Sequence, residues 1–352
     1  ILEGVMYENE GSDQVGPMRI PPFQYLEPET VFEALSMMDT HRGTVKIIAG
    51  GTEVINHLKL RLISPVHIMN IKKLRELAGI SEHEHEVVIG ANASITEIRE
   101  SPLLQQKYKA IAEAASQVAA PPLAHMGTIG GNILQNTRCM FYNQSEIVLK
   151  GLEACHKRGG AICLAVKGGK RCFSVYQGDM APALIAFDAQ CVLEKRGSRR
   201  AIPIIDLFTG DGIQPFSIDD NEILTGIIIP KQNGSYGSAY KKLRIRGSID
   251  YPLASAASLL TITADRKFGA SRIVIGAAGP APKIVDWAAS SFGALQGKFP
   301  EDADFERAAD RAYELSEGVD NLSMPGEYRR KMAGILTKRA IREALTDIKR
   351  GL

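Results

Sequence analysis

The chain has 352 residues, 45% of them hydrophobic, which is enough for two or three packed units. Its 42 Lys and Arg residues nearly balance its 40 Asp and Glu residues, so the net charge of +2 excludes the basic surface typical of proteins that bind nucleic acid or anionic membranes. No segment approaches the ~18 consecutive apolar residues of a membrane-spanning helix, and no secretory signal is evident, so we expect a cytoplasmic protein.

Residues 1–17 are polar and rich in glycine, and we expect them to be an N-terminal extension. A first lobe, about residues 18–75, then alternates strand and helix patterns. A capping box at 30–33 precedes the helical run VFEALSMM, and the apolar strand VKIIAGG at 45–51 ends at a double glycine. Helical spacing resumes in TEVINHLKL, and HIMNI at 67–71 is typical of a second strand. The pattern predicts a small βαβ unit.

The second lobe, about residues 76–232, also mixes helices and strands. The strand VVIGA, a second capping box at 94–97 and a long helix at 103–119 come first. The glycine-dense HMGTIGGNI and a cysteine-bearing stretch follow, and the chain continues through APALIAFDA and the strand QCVLEK. The segment closes with EILTGIIIP at 222–230, which is apolar, β-branched and ended by proline, as expected of a strand.

The third segment, residues 233–352, places its strands before its helices. Three strand patterns, SAYKKLRIR, ASAASLLTITA and SRIVIGAA, precede helical runs at 283–295, 301–318 and 327–350. Strands grouped ahead of helices indicate an α+β fold, here an antiparallel sheet with a helical bundle.

Two apolar segments end in glycine pairs, at 49–52 and at 128–132. Glycine lets backbone N–H groups approach an anion closely, so each turn is a candidate site for a pyrophosphate. Neither turn has the GxGxxG spacing of a Rossmann dinucleotide site. From the residues alone, ordinary tight turns remain the alternative explanation.

The order of these motifs is more specific than any one of them. AGGTEV before a helix, TIGGN about 75 residues later, then GDMAPALIAFDA, EILTGIIIP, and SAYKKLRIR with Asp250 beyond it, resemble the FAD-carrying subunits of the xanthine dehydrogenase and molybdenum hydroxylase family. The likeness extends from Met18 to EYRRKMAGILTKRAI near the C-terminal end. It implies a two-lobed FAD-binding domain over residues 18–232, non-covalent FAD, and an α+β domain over 233–352.

The resemblance also implies roles for individual residues. Residues 47–54 and 128–132 would hold the FAD pyrophosphate through backbone amides and through the Thr and Asn side chains. Asp179 would lie near the ribityl and phosphate part of the cofactor, Leu224 beside the isoalloxazine, and Lys241 near the flavin. From the residues alone, Leu224 is also explained as a core residue and Lys241 as a solvated charge. The implied cofactor-binding residues are Ile47, Ile48, Ala49, Gly50, Gly51, Thr52, Glu53, Val54, Thr128, Ile129, Gly130, Gly131, Asn132, Asp179, Leu224 and Lys241.

Four of the five cysteines lie within a window of 34 residues, from position 139 to position 172. Disulfides are disfavoured in the cytoplasm, so a metal or redox role explains this grouping better. Successive cysteines are 16, 8 and 9 positions apart, so no CxxC pair occurs and a zinc ribbon is poorly matched. Four thiolates are the ligand set of a [4Fe–4S] cluster. From spacing alone, unligated buried cysteines remain the alternative.

These cysteines lie in an insert, about residues 136–177, that separates the TIGGN turn from Asp179. NTRCMFYNQS, ACHK, AIC and KRC resemble the flavoprotein β subunit of 4-hydroxybenzoyl-CoA reductase, a family member with an extra [4Fe–4S] cluster in such a loop. The resemblance implies four cluster ligands, which are Cys139, Cys155, Cys163 and Cys172. Cys191 lies outside the insert, and we expect it to be a core residue.

The resemblance further implies partners and a direction of electron flow. No catalytic acid or base is visible in this chain, so substrate chemistry would occur on a molybdopterin-containing large subunit. A small subunit with two [2Fe–2S] clusters would lie between, in a dimer of heterotrimers. A ferredoxin-like donor would supply electrons for reductive dehydroxylation of 4-hydroxybenzoyl-CoA or a related aromatic thioester. Two alternatives stay open: the FAD subunit of an oxidising hydroxylase of xanthine or aldehyde dehydrogenase type, and a scaffold with a structural metal.

Overall fold

A computed structural model of the chain describes residues 20–262, 268–286 and 302–351, which form three sheets with helices packed against them. The first sheet is parallel, in the order β1-β3-β2, and consists of β1 (Gln24–Leu26), β2 (Val45–Ile48) and β3 (His67–Asn70). Two helices accompany it, α1 (Val31–Thr40) and α2 (Val54–Lys59). The predicted βαβ unit is therefore present, and β1 adds a third strand to it.

The predicted cap of α1 forms in part. Thr30 accepts a hydrogen bond from the Glu33 amide at 3.1 Å. The Glu33 carboxylate accepts from the amide of Glu29 at 2.7 Å, not from that of Thr30. The second predicted capping box is complete, because Ser94 and Glu97 each accept a hydrogen bond from the other's amide.

The second sheet is antiparallel, in the order β4-β5-β8-β6-β7. Its strands are β4 (Ile80–Glu82), β5 (Glu86–Gly90), β6 (Gln190–Lys195), β7 (Ser198–Pro203) and β8 (Ile223–Pro230). β8 is the central strand and is buried along most of its length, because its residues are apolar on both faces. The helices of this part of the chain are α3 (Ile95–Glu100), α4 (Pro102–Lys107), α5 (Lys109–Ser116), α6 (Pro121–Met126), α7 (Ile129–Ile133), α8 (Glu146–Lys150) and α9 (Met180–Ala186).

The prediction of one long helix over 103–119 is wrong, because two helices, α4 and α5, meet at Tyr108. The backbone of Tyr108 has φ −134° and ψ 49°, which is outside the helical region. Its ring is buried and lies 5.2 Å from the ring of Phe187. Burial of this large aromatic side chain accompanies a turn that the helical spacing of the sequence does not show.

The third sheet is antiparallel, in the order β12-β11-β10-β9. It consists of β9 (Ser235–Leu243), β10 (Ala254–Ile262), β11 (Phe268–Gly276) and β12 (Lys283–Ile284). Helices α10 (Asp302–Leu315) and α11 (Gly326–Gly351) form a separate hydrophobic core with one face of this sheet. The helix predicted at 283–295 begins as a strand, and its residues 287–295 lie outside the described part of the chain. The arrangement confirms the predicted α+β class.

None of the helices in the described ranges is both long enough and apolar enough to span a membrane.

Candidate functional site

The two glycine turns lie against each other. A Cβ atom added to Gly50 would collide with the carbonyl of Met126, and it would lie 2.8 Å from the Cα atom of Gly127. Lys72 contacts the same carbonyl, because its ammonium donates a hydrogen bond to the Met126 carbonyl at 3.3 Å. Only glycine at position 50 permits this approach of one backbone to the other. Segments that are ~75 residues apart in sequence therefore form one surface.

The first turn offers free backbone donors. Among the described residues, the N–H groups of Gly50, Gly51 and Thr52 donate to no protein acceptor. Gly51 has φ +73°, in the left-handed region that glycine adopts without strain. Unpaired amides grouped at one turn suit an anionic ligand such as a pyrophosphate.

The second turn differs from the sequence-based expectation. Each amide from Ile129 to Asn132 already donates to a protein acceptor, over 2.9 to 3.1 Å. Thr128 supplies two of these acceptors, its carbonyl and its side-chain hydroxyl. What this turn provides is an exposed surface at Gly131, where an added Cβ would meet only the Thr128 hydroxyl, at 3.1 Å. Close approach, and not amide donation, is the property that the second turn offers a ligand.

Asn132 connects the second turn to a buried polar cluster. Its side-chain Oδ1 accepts from the Met180 amide at 3.1 Å, at the start of α9. The preceding residue, Asp179, is buried and accepts from the Tyr240 hydroxyl at 2.7 Å and the Lys242 ammonium at 3.0 Å. Burial raises the pKa of Asp179, and Lys242 and Tyr240 oppose this shift because both stabilise the carboxylate.

Lys241, the lysine expected near the flavin, lies on the other face of β9. Successive side chains of a strand point to opposite faces, so Lys241 cannot share the surface of Tyr240 and Lys242. It forms an ion pair with Glu343 of α11 instead. The structure therefore does not bring Lys241 together with Asp179, and the residues that contact Asp179 were missed in the sequence. Because side chains alternate between the two faces of a strand, the SAYKK pattern could have placed Tyr240 and Lys242 on one face.

Leu224, in the central strand β8, is 4% exposed. It belongs to the main hydrophobic core, together with Ile129 and Ile133 of α7. The packing of Leu224 is that of a core residue, close in the fold to the second glycine turn.

Glu53 of the first turn is engaged by the insert. Its carboxylate accepts from Arg138 at 2.7 Å and from the Asn136 amide at 3.0 Å. The guanidinium of Arg138 also lies 3.7 Å from the centre of the Tyr251 ring. Glu53 thus anchors the beginning of the insert, and its carboxylate is not free for a ligand.

The four cysteines of the insert surround one cavity, together with apolar side chains that include Phe141, Leu164 and Phe173. The cysteines concerned are Cys139, Cys155, Cys163 and Cys172. Burial, together with the three other cysteines close by, raises the pKa of the Cys139 thiol to about 11. Cys191 lies in the main core, as expected.

Within the described ranges, no three His, Cys, Asp or Glu side chains are arranged to hold a single metal ion. The ligands of a [4Fe–4S] cluster have a different arrangement, because each thiolate binds a different iron. They surround a volume and do not converge on one point. The chemistry of the donor set around the cavity, four cysteines and a mainly apolar lining, therefore fits a cluster better than a mononuclear centre.

A lysine and a serine hold the cysteine loops in place. The Lys157 ammonium donates to Asn136 Oδ1 at 2.8 Å and to the Thr137 carbonyl at 2.9 Å. The Ser174 hydroxyl lies 3.1 Å from the Cys172 sulfur and also donates to the Gly212 carbonyl at 3.0 Å. Burial lowers the pKa of Lys157 to about 8.

The insert also contacts the C-terminal part of the chain. Asn321 accepts from the Met140 amide at 2.8 Å and donates to the Phe173 carbonyl. Arg171 forms an ion pair with Glu317 at 3.1 Å. These contacts fix both ends of the cysteine-bearing segment to the C-terminal part of the chain.

Two known families match the sequence in order. The FAD binding domain in molybdopterin dehydrogenase matches residues 21–232, and the CO dehydrogenase flavoprotein C-terminal domain matches residues 238–344. The chain belongs to the molybdopterin dehydrogenase FAD-binding family. It is an FAD-binding oxidoreductase subunit of molybdenum hydroxylase type.

Individual members of this family are similar over most of the chain. The carbon monoxide dehydrogenase medium chain of Hydrogenophaga pseudoflava is 30% identical over 329 residues, covering 92% of this chain and 98% of the relative. A solved structure of carbon monoxide dehydrogenase from the same organism has a TM-score of 0.77 and 27% identity, covering 94% of this chain and 99% of the other. The nicotinate dehydrogenase FAD-subunit of Eubacterium barkeri is 28% identical over 229 residues, 64% of each chain.

These relatives are dehydrogenases, and they support the oxidising alternative better than the reductive interpretation of the sequence. They give no support to the specific likeness to 4-hydroxybenzoyl-CoA reductase. The family and FAD binding are therefore established, and what the insert binds depends on the geometry of the insert itself.

Proposed function

We propose that this chain is the FAD subunit of a molybdenum hydroxylase-type dehydrogenase and that its insert holds a [4Fe–4S] cluster as a second redox centre. One observation supports the second part above all others: the four cysteines of the insert, spread over 34 residues of sequence, line a single cavity. Unligated structural cysteines have no reason to gather around one cavity.

The FAD site proposed here uses the two turns differently. The free amides at Gly50, Gly51 and Thr52 would bind the pyrophosphate. Gly131 would let the cofactor approach the second turn, because no Cβ stands in its way. Asn132 would complete the site, since its side-chain Nδ2 has no acceptor among the described residues. The buried ion pair of Asp179 and Lys242, next to the Met180 amide that Asn132 binds, would stabilise this surface.

The cluster site would use the thiolates of all four insert cysteines. Apolar neighbours such as Phe141, Leu164 and Phe173 would exclude water from it. When both groups are bound, FAD exchanges one or two electrons and the cluster exchanges one, so together they join a one-electron carrier to a two-electron reaction.

The partners proposed are those of the family resemblance: a molybdopterin-containing large subunit and a small subunit with two [2Fe–2S] clusters, in a dimer of heterotrimers. The insert itself suits a small acidic electron carrier such as a ferredoxin. It contains seven Lys and Arg residues and two Asp and Glu residues, while the whole chain has a net charge of only +2. Lys167, Lys170 and Arg171 are exposed next to the cysteine cavity. A local positive surface favours docking of a negatively charged partner.

A second candidate function is electron input to a reductase of 4-hydroxybenzoyl-CoA or a similar aromatic thioester. The cysteine cavity favours it, because a cluster there would give electrons from a one-electron donor a second entry point beside FAD. The dehydrogenase relatives favour oxidation instead. A redox titration separates the two, since electron input requires a cluster potential at or below that of FAD.

The test of the proposed function is metal analysis of this chain, separated from its partner subunits and purified without oxygen. We expect about four iron and four sulfide per FAD, with an EPR signal after reduction. Cys155→Ala should lose the iron and keep the FAD. Cys191→Ala is the matched control, because Cys191 is buried in the main core and not in the insert, and it should keep both.

Two outcomes would contradict the cluster. One is a wild-type protein with full FAD and no iron after anaerobic purification. The other is a Cys155→Ala variant that retains all of its iron and an unchanged EPR spectrum.

A further inference from the structure

Lys157 is a half-buried cation whose hydrogen-bond acceptors in the described structure are all neutral. Its ammonium donates to Asn136 Oδ1, to the carbonyl and hydroxyl oxygens of Thr137, and to Ser174 Oγ, over 2.5 to 3.4 Å. No carboxylate among the described residues forms an ion pair with it. The side chain lines the cavity that the four cysteines surround.

Burying a cation without a counter-charge is unfavourable by several kcal/mol, so such groups are paired in most folded proteins. Hydrogen bonds to neutral oxygens satisfy the donors of Lys157. Its charge is compensated only in part, by the Tyr142 ring centred 4.9 Å from the ammonium and by Glu53, whose carboxylate is already paired with Arg138. A negatively charged group in the adjacent cavity would compensate the rest.

A short polar chain joins Lys157 to a cysteine sulfur. The Ser174 hydroxyl is 3.4 Å from the Lys157 ammonium and 3.1 Å from the Cys172 sulfur. On its other side, the Lys157 ammonium donates to Asn136 Oδ1, and the backbone amide of Asn136 donates to the Glu53 carboxylate at 3.0 Å. The ammonium is thus fixed in position relative to the sulfur.

We propose that Lys157 is the counter-cation of the cluster site, and that its charge raises the reduction potential of the cluster. The inference rests on the proposed function, because it requires the cluster. Four thiolates give the cluster a net negative charge, and reduction adds one more electron. A fixed positive charge nearby stabilises the reduced state more than the oxidised state.

The experiment is an EPR-monitored redox titration of the anaerobically purified holoenzyme. In Lys157→Met the midpoint potential of the cluster should fall, so that the ratio of reduced to oxidised cluster at a fixed potential drops about tenfold, equal to about 59 mV for a one-electron couple. The FAD potential is measured in the same sample as an internal reference. Lys157→Arg keeps the charge and should restore most of the ratio.

Lys150→Met is the matched control. Lys150 is a cation of the same insert, but its side chain is 74% exposed and pairs with Glu146, so its removal should leave the cluster potential unchanged. Solvent screens such a charge, whereas the half-buried ammonium of Lys157 is enclosed by its hydrogen-bond acceptors.

The outcomes are distinct. If the wild-type holoenzyme contains no iron beyond that of the two [2Fe–2S] clusters of the small subunit, the proposed cluster fails, and this inference fails with it. If the wild type contains the cluster and Lys157→Met shows an unchanged potential with full iron content, only the counter-cation role is refuted. If Lys157→Met loses the cluster, Lys157→Gln decides, because it keeps a hydrogen-bond donor without the charge. An unchanged potential in that variant refutes the proposal, and a lowered one supports it.

Discussion

Replacing Gly131 by leucine should separate FAD binding from folding. Gly131 is exposed in the short helix α7, and its backbone is not in the left-handed region that requires glycine. A leucine Cβ would meet only the Thr128 hydroxyl, at 3.1 Å. Leucine is favoured over glycine in a helix by about 0.5 to 1 kcal/mol, while disturbing the Thr128 cap costs about 1 kcal/mol. The free energy of unfolding should therefore change by less than about 1 kcal/mol.

The effect on FAD should be much larger. A side chain on this surface would hold the cofactor away from the turn, and each charge-assisted hydrogen bond lost is worth about 1.5 to 3 kcal/mol. The dissociation constant for FAD should rise on the order of 10- to 150-fold. Fluorescence titration of the flavin-free protein measures the affinity, and thermal unfolding without FAD measures stability. We expect a change in Tm of no more than about 4 °C.

Two further glycines serve as comparisons. Gly50→Leu should lose both stability and FAD, because its Cβ would collide with the Met126 carbonyl and force the two turns apart. Gly151→Leu should keep both, since that glycine is exposed at the end of α8 and its Cβ would lie 3.5 Å from the nearest heavy atom. If Gly131→Leu binds FAD as tightly as the wild type, the surface at Gly131 is not part of the cofactor site and the reasoning is refuted.

Three other predictions concern the stability and the core of the fold. Lys242→Met should lower the free energy of unfolding by about 3 to 5 kcal/mol, because it leaves buried Asp179 without its ion-pair partner. Lys241→Met, the control, should lower it by less than about 1 kcal/mol, and urea denaturation of both variants measures the difference. Arg200 lowers the pKa of Glu222 below 4.5, so this pair stabilises the fold above about pH 4.5 and the contribution is lost as pH falls; Glu222→Gln should flatten that part of the pH dependence of the urea midpoint, and an unchanged slope would contradict it. Burial raises the pKa of Cys191 to about 12, so iodoacetamide at pH 8 should alkylate it only after unfolding, as peptide mass spectrometry would show.

Some elements followed directly from the sequence, and others depended on partners distant in the chain. The capping box at Ser94 and Glu97 is a local interaction of four residues, and it forms as predicted. The break at Tyr108 was not predictable from helical spacing, because its ring packs against Phe187, 79 positions further along. The contact of Lys242 with Asp179 was not expected from the sequence, because the resemblance pointed to Lys241 while the pleat of β9 decides which face each side chain occupies.

The family resemblance, the α+β class, the two glycine turns and the grouping of four cysteines all follow from the order and type of residues along the chain. How these features are used depends on the fold. In the fold, the amides of the first turn donate to no protein acceptor within the described ranges, whereas those of the second turn donate within the protein. Two of these acceptors, the carbonyls of Ala91 and Ala93, come from another loop. The fold also brings Cys139 and Cys172 to one cavity with Lys157 beside them. Contacts between distant segments depend on how the chain folds back on itself, and local residue patterns do not specify them.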